Sequence, residues 1–239
     1  MPDPRGFAAA LRSVAGLGVI AELKRRSPSK GDLAADLDPA SVAREYAAGG
    51  AVALSVLTDG PNFGGSPDDL IAARAAVELP VLRKDFTVTE HDVCDAALMG
   101  ADAVLLIVAA LDDDELARFS GLAGHLGLDT LVEAHNEAEV ERAVAAGAEV
   151  IGVNQRDLYT FEVDHERAVR VAASIPEGVV KVAESGIRGP DEAAILAAAG
   201  FDAILVGESI VTSADRAAAV AALRDPSTRS PSGAFDPYR

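Results

Sequence analysis

The feature that most constrains the fold is a regular alternation of two kinds of segment along nearly all of the 239-residue chain. Short runs rich in Val, Ile and Leu alternate with longer Ala-rich stretches whose apolar residues recur at helical spacing. Such alternation predicts a parallel sheet, because each helix returns the chain to the same end of the sheet. Eight strands are predicted, at residues 19–24, 51–57, 80–84, 103–108, 130–134, 150–154, 179–184 and 203–207.

The stretches between these strands carry the boundary signals of helices. Proline in the first turn and Ser, Thr, Asp or Asn just before it are typical helix starts, whereas glycine is typical of helix ends. The predicted starts are Asp38-Pro39, Ser66-Pro67, Thr89, Asn136 with Glu139, Gly189-Pro190 and Ser213. The predicted ends include Gly49, Gly100, Gly147 and Gly200, where glycine takes the left-handed conformation without strain.

Eight strand–helix units in this length predict closure of the sheet into an α/β (β/α)8 barrel, the TIM barrel, which needs about 250 residues. An open doubly wound sheet is the alternative, although no G-x-G-x-x-G follows the first strand. We expect a short N-terminal helical extension at residues 1–18 and the barrel at residues 19–224. The Pro- and Ser-rich residues 225–239 are predicted to be a disordered tail.

The composition excludes several classes of function. A formal net charge of −17 disfavours nucleic acid as a partner, because the phosphates would be repelled. No apolar run is long enough for a membrane helix, and the first residues lack the apolar core of a signal peptide. A single cysteine, Cys94, fits a reducing compartment, so we expect a cytoplasmic protein. A monomer is favoured, because no exposed apolar stripe is evident.

Polar residues recur where the predicted strands end. Alternate residues of a barrel strand point inward, and functional residues lie at the carboxyl ends of the strands. Charges that point into a barrel are costly unless they are paired or hydrated. Five strands that carry them together therefore predict a functional site at the open carboxyl end, here called the mouth. The inward sets end in Glu22 and Lys24, Lys84, Glu133 and His135, Asn154 and Arg156, and Glu184.

Lysine is scarce, since only four of the 21 basic residues are lysines. A retained lysine suggests a need for a compact charge with a tunable pKa, which arginine does not offer. Lys24, Lys30 and Lys84 lie in or just after two predicted strand ends. Lys181 lies near the start of its strand on the opposite parity to Glu184, so we expect it to point outward, away from any chemistry.

Two glycine-bearing turns follow the last two strands, at Ser185-Gly186 and at Gly207-Glu208. Barrel enzymes commonly bind phosphate with these two loops, because backbone N–H groups donate where glycine permits close approach. Ordinary tight turns are the alternative. The loop after the first strand carries four cations within residues 24–30. We expect Lys24 to meet an anion inside the mouth and the outer cations to steer and cover it, a solvated basic loop being the alternative.

Taken together, these motifs resemble the indole-3-glycerol-phosphate synthase family, in order along residues 7–223. The first motif is highly specific to that family among phosphate-binding barrels. The matching segments are AELKRRSPSKG at 21–31, SVLTD at 55–59, FGGS at 63–66, LRKDF at 82–86, LLIV at 105–108, LVEAH at 131–135, GVNQRDL at 152–158, ESGI at 184–187 and VGES at 206–209.

The resemblance implies a reaction without cofactor or metal in tryptophan biosynthesis. Carboxyphenylamino-deoxyribulose phosphate is cyclised, decarboxylated and dehydrated to indole-3-glycerol phosphate. By resemblance, Lys84 is the general acid that protonates the ribulose carbonyl as the ring carbon attacks, and Glu133 is the second acid/base residue. Lys24 contacts a substrate anion and assists closure, while Glu22 and Glu184 hold the lysines and the substrate hydroxyls.

The remaining site residues also follow from the resemblance. Asn154 and Arg156 would fix the substrate, with a structural ion pair as the alternative for Arg156. Ser185, Gly186 and Gly207 would lie at the phosphate. Phe63, Phe86 and Leu105 would sandwich the anthranilate ring. The implied substrate-binding set is Ser27, Phe63, Phe86, Leu105, Arg156, Gly186, Val206, Gly207 and Glu208.

Departures from the family pattern raise two expectations. The family usually has a longer segment before its first strand than the 18 residues here, so we expect a less covered substrate. Gln155 replaces the more usual second Asn, and we expect little effect because its side chain points away from the barrel axis. His135 lies at a strand end and is expected to be structural, with contact to the site as the alternative. The four histidines show no spacing of a metal site.

Two other functions remain open from the sequence. A Schiff-base aldolase on the same barrel would use Lys84 as a nucleophile on a sugar-phosphate carbonyl. A non-catalytic paralogue would bind a phosphorylated metabolite or a partner subunit without turnover.

Overall fold

The computed structural model describes residues 2–156 and 164–224, and within them eight parallel strands close into a barrel. The first strand pairs with the second and with the eighth, so that Ile20 lies opposite both Ala53 and Leu205. This closure confirms the barrel and excludes the open sheet. The strands are β1 Gly18–Leu23, β2 Ala53–Leu57, β3 Val81–Lys84, β4 Ala103–Ile107, β5 Asp129–Ala134, β6 Val150–Asn154, β7 Val180–Glu184 and β8 Ala203–Val206.

Helices follow the strands around the outside of the barrel. They are α1 Phe7–Arg12, α2 Pro39–Ala48, α3 Gly60–Phe63, α4 Pro67–Ala76, α5 Glu90–Met99, α6 Asp113–His125, α7 Glu137–Ala145, α8 His165–Ala172, α9 Pro190–Ala198, α10 Glu208–Val211 and α11 Arg216–Arg224. A two-stranded antiparallel hairpin, Arg26–Ser27 with Gly31–Asp32, lies in the loop after β1. In the described part of the chain, no helix combines the length and the apolar character needed to cross a membrane.

Most predicted helix starts are confirmed by hydrogen bonds of the capping side chains. Asp38, Ser66, Thr89 and Asn136 each accept a bond from the backbone N–H three residues later. Ser213 was a wrong prediction, because α11 begins only at Arg216 and the Asp215 carboxylate accepts from the Ala218 N–H instead.

The helix end predicted at Gly49 is confirmed, because α2 ends at Ala48, but the left-handed conformation falls on the next residue. Gly49 keeps a helical φ of −73°, and Gly50 takes the left-handed conformation with φ of 84°. The other predicted ends, Gly100, Gly147 and Gly200, all have φ between 80° and 84°.

The apolar residues form two cores, one inside the barrel and one between the strands and the helices. Strand residues that point inward, such as Ile20, Leu82 and Leu131, belong to the inner cluster. Their neighbours of opposite parity, such as Val19 and Val132, belong to the outer cluster. This alternation is what carries Glu22, Lys84 and Glu133 to the inside of the barrel.

The N-terminal segment closes the amino end of the barrel, opposite the mouth. Phe7 and Leu11 of α1 are buried in the inner cluster. The Arg5 N–H donates to Asp102 at 2.8 Å, and the Ala8 N–H donates to Asp129 at 2.8 Å, both just at the amino ends of β4 and β5. The predicted N-terminal helix is therefore present and covers the end of the barrel that carries no candidate chemistry. The predicted tail, residues 225–239, lies outside the described residues.

Candidate active site

The polar residues predicted from strand parity do meet at the mouth. Glu22, Glu133 and Glu184 are all buried among the carboxyl ends of the strands, and Lys84 lies between the last two of them. The Lys84 Nζ atom is 3.1 Å from Glu133 Oε2 and 3.5 Å from Glu184 Oε2. One ammonium is thus shared by carboxylates from two strands, with Glu133 and Glu184 each about 2% exposed.

The charge of Lys84 depends on the carboxyl groups that surround it. Burial opposes the charge on Lys84, but Glu133, Glu184 and Glu22 together outweigh burial and raise its pKa well above the ordinary value. Lys84 is therefore a firmly protonated ammonium at neutral pH.

The pKa values of the two carboxyl groups beside Lys84 are shifted in opposite directions. Burial raises the pKa of Glu184 to about 8, with the neighbouring Glu133 and Glu22 adding to the effect against the opposing charge of Lys84. Burial acts on Glu133 too, but there Lys84, the Asn154 hydrogen bond and His135 outweigh it and lower the pKa. A neutral Glu184 beside an ionised Glu133 is the arrangement from which enzymes take one acid and one base.

A second ion pair lies on β1. Lys24 Nζ is 2.8 Å from Glu22 Oε1, and the Ser55 hydroxyl donates to Glu22 Oε2 at 3.4 Å. The buried Tyr46 hydroxyl donates to the Glu22 carbonyl at 3.1 Å and fixes the strand from behind. Lys24 remains partly exposed at the mouth, where it can reach an anion that enters.

Two glycines make room for the carboxylates. A Cβ atom at Gly152 would collide with Glu184 Oε1, and a Cβ atom at Gly207 would collide with Glu22 Oε1. The carboxyl groups of Glu184 and Glu22 therefore occupy the space that a side chain on the neighbouring strand would fill.

Asn154 is oriented by a backbone group. Its side-chain oxygen accepts from the Arg156 N–H at 3.0 Å, which leaves its Nδ2 to donate to Glu133 Oε1 at 3.0 Å. Asn154 thus holds the Glu133 carboxylate on the side opposite Lys84.

His135, which was expected to be structural, also reaches Glu133. Its Nε2 atom lies 3.5 Å from Glu133 Oε1, and its Nδ1 atom lies 3.1 Å from Glu139 Oε2. His135 directly follows β5 and lies two residues after Glu133, so both side chains point inward. This spacing in the sequence was the signal for the contact.

The loop after β7 has an unusual backbone. Ser185 has φ of 70° and Gly186 has φ of 74°, and Ser185 is the one non-glycine residue with positive φ in residues 2–156 and 164–224. Backbone N–H groups exposed in such a turn can donate to an anion. The buried Gln155 donates from Nε2 to the Ser185 carbonyl at 2.9 Å, so it contacts this loop directly.

The loop after β8 touches the loop after β7. The Ser209 hydroxyl donates to the Ile187 carbonyl at 3.1 Å, and Gly207 immediately precedes the short helix α10. These two loops therefore form one continuous surface beside Glu184.

The outer cations of the first loop are used to hold that loop in place. Arg25 makes two hydrogen bonds to the Asp69 carboxylate, at 2.8 and 3.1 Å, and also donates to backbone carbonyls. Arg26 donates to carbonyls in α3, and Lys30 pairs with Glu208 across the mouth. Lys24 is the cation of this loop that lies inside the site.

The expected apolar substrate-binding residues lie at different depths below the opening of the mouth. Phe86 is 52% exposed at the mouth and Phe63 is half-buried in α3, whereas Leu105 is only 2% exposed and lies in the inner cluster. Ile107, two residues further along the same face of β4, is half-buried and packs against that cluster, above Leu105.

Two of the expected binding residues have other surroundings. Val206 is buried in the outer cluster, so its side chain faces the helices and only its backbone can serve the mouth. Ser27 lies in the hairpin of the first loop, where its hydroxyl accepts from the Lys30 N–H.

The sequence matches a family model described as indole-3-glycerol phosphate synthase over residues 1–223. An indole-3-glycerol phosphate synthase of Nocardioides sp. is 57% identical over 206 residues, which cover 86% of this chain and 79% of that relative. One of Streptomyces griseus is 54% identical over 222 residues, 93% of this chain and 82% of that relative. The chain belongs to the indole-3-glycerol phosphate synthase family. This confirms the predicted family and function class, a lyase of tryptophan biosynthesis.

Solved structures with lower identity share the fold alone. A thiamine phosphate pyrophosphorylase from Pyrococcus furiosus has a TM-score of 0.67 at 19% identity and covers 88% of this chain and 95% of that chain. An N-acetylmannosamine-6-phosphate 2-epimerase from Clostridium perfringens has a TM-score of 0.64 at 14% identity, with coverage of 80% and 86%. The barrel is thus shared beyond the indole-3-glycerol phosphate synthase family.

Two residues, Ser55 and Gln155, join the site of this family member beyond those that strand parity placed at the mouth. His135 was placed there by parity but was expected to be structural. Ser55 shares the inward parity of β2 with Ala53, so the rule that located Glu22 also applies to it. Gln155 carries no such signal, because its contact with Ser185 depends on how two loops pack rather than on strand parity.

Proposed function

We propose that this chain converts 1-(2-carboxyphenylamino)-1-deoxyribulose 5-phosphate to indole-3-glycerol phosphate, with release of CO2 and one water. The observation that carries the proposal is the partly buried ammonium of Lys84, held between the Glu133 and Glu184 carboxyl groups at an open mouth. Such a group can protonate a carbonyl oxygen at the moment when a carbon nucleophile attacks it.

Lys84 acts as the acid in ring closure. The ring carbon that bears the carboxylate attacks the ribulose carbonyl carbon, and the carbonyl oxygen takes a proton from Nζ. The ring carbon then loses CO2 and regains its aromatic electrons. The charges of the surrounding carboxylates keep Lys84 protonated before the substrate arrives, so that the proton is ready in the resting enzyme.

Glu133 acts as the acid/base group of the dehydration. Its lowered pKa keeps it ionised, so it can take a proton from the ribulose CH2 next to the nitrogen. It then returns that proton to the hydroxyl formed in ring closure, which leaves as water while the C=C bond of the indole ring forms. Glu184, whose pKa is raised to about 8, holds its proton near neutral pH and can donate a hydrogen bond to a substrate hydroxyl.

The remaining residues bind the substrate. Lys24 meets a substrate anion and is held ready by Glu22. Asn154 and Arg156 fix the sugar, with Ser185, Gly186, Gly207 and Glu208 around the phosphate. Phe63, Phe86 and Leu105, together with Ile107 above Leu105, provide the apolar walls for the anthranilate ring.

The charge of Lys84 disfavours the Schiff-base alternative. A Schiff-base lysine must lose its proton to become a nucleophile, and enzymes lower its pKa to that end. In this chain the pKa of Lys84 is raised. A non-catalytic paralogue is disfavoured because the proposed acid and base are in mutual contact. We further propose that the enzyme acts as a monomer in the cytoplasm on a small phosphorylated substrate.

Mass spectrometry of the reaction mixture tests this proposal. The expected product is lighter than the substrate by one CO2 and one water. Borohydride present during turnover should trap no adduct on Lys84. A trapped adduct would establish the aldolase mechanism, and tight binding of intact substrate without product would establish the non-catalytic paralogue.

A further inference from the structure

His135 lies in contact with Glu133 but plays no part in the steps above. Its side chain is buried, and its Nε2 atom lies 3.5 Å from Glu133 Oε1. Within residues 2–156 and 164–224 this atom has no hydrogen-bond partner of normal geometry. A buried ring nitrogen that faces a carboxylate is a group whose protonation state affects that carboxylate.

The other side of the ring is fixed by α7. Glu139 Oε2 accepts from the His135 backbone N–H at 2.8 Å and lies 3.1 Å from Nδ1, so it orients both the backbone and the ring. Glu139 is itself held by Asn136, whose Nδ2 donates to Glu139 Oε1 at 2.7 Å. The first turn of α7 therefore anchors the imidazole at a set distance from Glu133.

This anchoring determines which proton the ring carries. Glu139 accepts the Nδ1 proton, so a neutral His135 would direct the lone pair of Nε2 at the negative charge of Glu133. Protonation of Nε2 turns that repulsion into attraction. Burial opposes the charge, but the bond to Glu139 and the charges of Glu133 and Glu139 outweigh burial and raise the pKa of His135.

We propose that His135 is a positioning residue for Glu133, which it orients and keeps ionised while Glu139 holds it from the far side. The proposal rests on the proposed function, because that function makes Glu133 the catalytic base. Glu133 then has three supports from three elements: Lys84 on β3, Asn154 on β6 and His135 beyond β5. His135 does not replace Lys84, because it faces the oxygen Oε1 and Lys84 faces Oε2.

The test compares two variants, each of which can replace the contact made by one of the two ring nitrogens. His135→Asn can still reach Glu139 but not Glu133, whereas His135→Gln extends an amide toward Glu133. We expect His135→Asn to lower kcat roughly 10- to 100-fold with KM changed by about twofold at most, because the base is misplaced while the substrate contacts remain. His135→Gln should recover part of that loss.

The pH profile separates positioning from mere structural support. Loss of the imidazolium raises the pKa of Glu133, so the acidic limb of kcat should move to higher pH in His135→Asn. The exposed His125→Gln on α6 is the matched control and should keep the parent profile. An unshifted acidic limb with parent kcat in a folded His135→Asn variant would overturn the proposal, whatever the loss of thermal stability.

A readout without turnover distinguishes this proposal from the proposed function. The His135 imidazole titration, followed by NMR in the full chain, should move to lower pH in Glu133→Gln, because a carboxylate next to Nε2 is lost. If the parent shows no turnover but this shift is found, the proposed function fails and the contact stands. An unmoved titration overturns the inference about His135 in either case.

Discussion

The carboxyl groups at the mouth owe their positions partly to residues that have no side chain. Gly152 on β6 and Gly207 after β8 leave the space that the Glu184 and Glu22 carboxyl groups occupy. Neither glycine has positive φ, so backbone conformation does not require glycine at these two sites. The requirement comes from the neighbouring carboxyl groups, and therefore from the site rather than from the fold.

Gly152→Ala should accordingly impair the enzyme without unfolding it. The new methyl group meets the end of a flexible side chain, so Glu184 rotates away at little cost to the fold, but its carboxyl group leaves Lys84. We expect kcat/KM to fall roughly 10- to 100-fold, with a change in Tm of less than about 4 °C. Steady-state assays and thermal melts of the same preparation measure the two effects.

Gly124→Ala on α6 is the matched control, because a Cβ atom there meets nothing within 4 Å. Alanine in a helix should raise its stability slightly and leave kcat/KM unchanged. Parent activity in Gly152→Ala would contradict the assigned role of the Glu184 carboxyl group. A large fall in Tm would instead show that Gly152 serves the barrel itself.

Among the loops, the one after β7 is held by its neighbour after β6. Gln155 donates to the carbonyl of Ser185, whose φ of 70° is costly for a residue with a side chain. Strain of this kind persists only where surrounding contacts fix the backbone. Gln155 thus supports the surface on which Ser185 and Gly186 are proposed to meet the substrate phosphate.

Gln155→Met keeps the length of the side chain and removes the hydrogen bond. An unpaired buried carbonyl costs about 1–3 kcal/mol, so the loop should relax toward an unstrained conformation. We expect KM for the substrate to rise about tenfold, the equivalent of about 1.4 kcal/mol, with a smaller change in kcat. Inorganic phosphate should also inhibit the variant less strongly than the parent. An unchanged KM would show that Gln155 has the small effect expected from the sequence.

The sequence predicted long elements better than short ones. The main helices follow from apolar periodicity, because each buries one face over several residues. The eight strands follow from short continuous apolar runs, because both of their faces are buried. The hairpin at Arg26–Ser27, the helix α3 and the helix α10 span two to four residues each and carry no periodic signal. At α11, both Ser213 and Asp215 are residue types that cap helices, and only the packing of the chain selects Asp215.

Across the whole barrel, stability and chemistry lie at opposite ends. The amino end is closed by α1, with Asp102 accepting from the backbone N–H groups of Arg5 and Val81. The carboxyl end buries three carboxyl groups around Lys84, and these groups cost stability unless their charges are balanced. Activity and stability should therefore respond to different sets of substitutions.

The buried Glu184 makes the stability of the molecule depend on pH. Its pKa is raised from 4.5 to about 8 by burial and by its carboxylate neighbours. The folded state thus holds this proton more tightly than the unfolded state, and its contribution to stability is present below pH 4.5 and is lost as pH rises to about 8. Glu184→Gln carries no such proton.

Thermal melts between these two pH values measure the effect. The Tm of Glu184→Gln should rise relative to that of the parent as pH increases toward 8. If the difference in Tm between Glu184→Gln and the parent stays constant over this pH range, the pKa of Glu184 is not raised in the folded protein. That result would contradict the charge distribution described for the site.

The polar residues of the site were predictable, whereas their charge states were not. Strand parity places Glu22, Lys84, Glu133 and Glu184 in one group, because the inward direction repeats every second residue. Which carboxyl group keeps its proton depends on distances between different strands, and these distances follow only from closure of the barrel. The same limit applies to His135, whose contact with Glu133 requires the first turn of α7.

Indole emission during turnover is the most direct test of whether Lys84 supplies the proton for ring closure. The chain contains no Trp, so fluorescence from newly formed indole is distinct from that of the protein. The parent and Lys181→Ala should produce this emission at equal rates. Lys84→Ala should be slower by about 100-fold or more. Emission from Lys84→Ala at the parent rate would contradict the account.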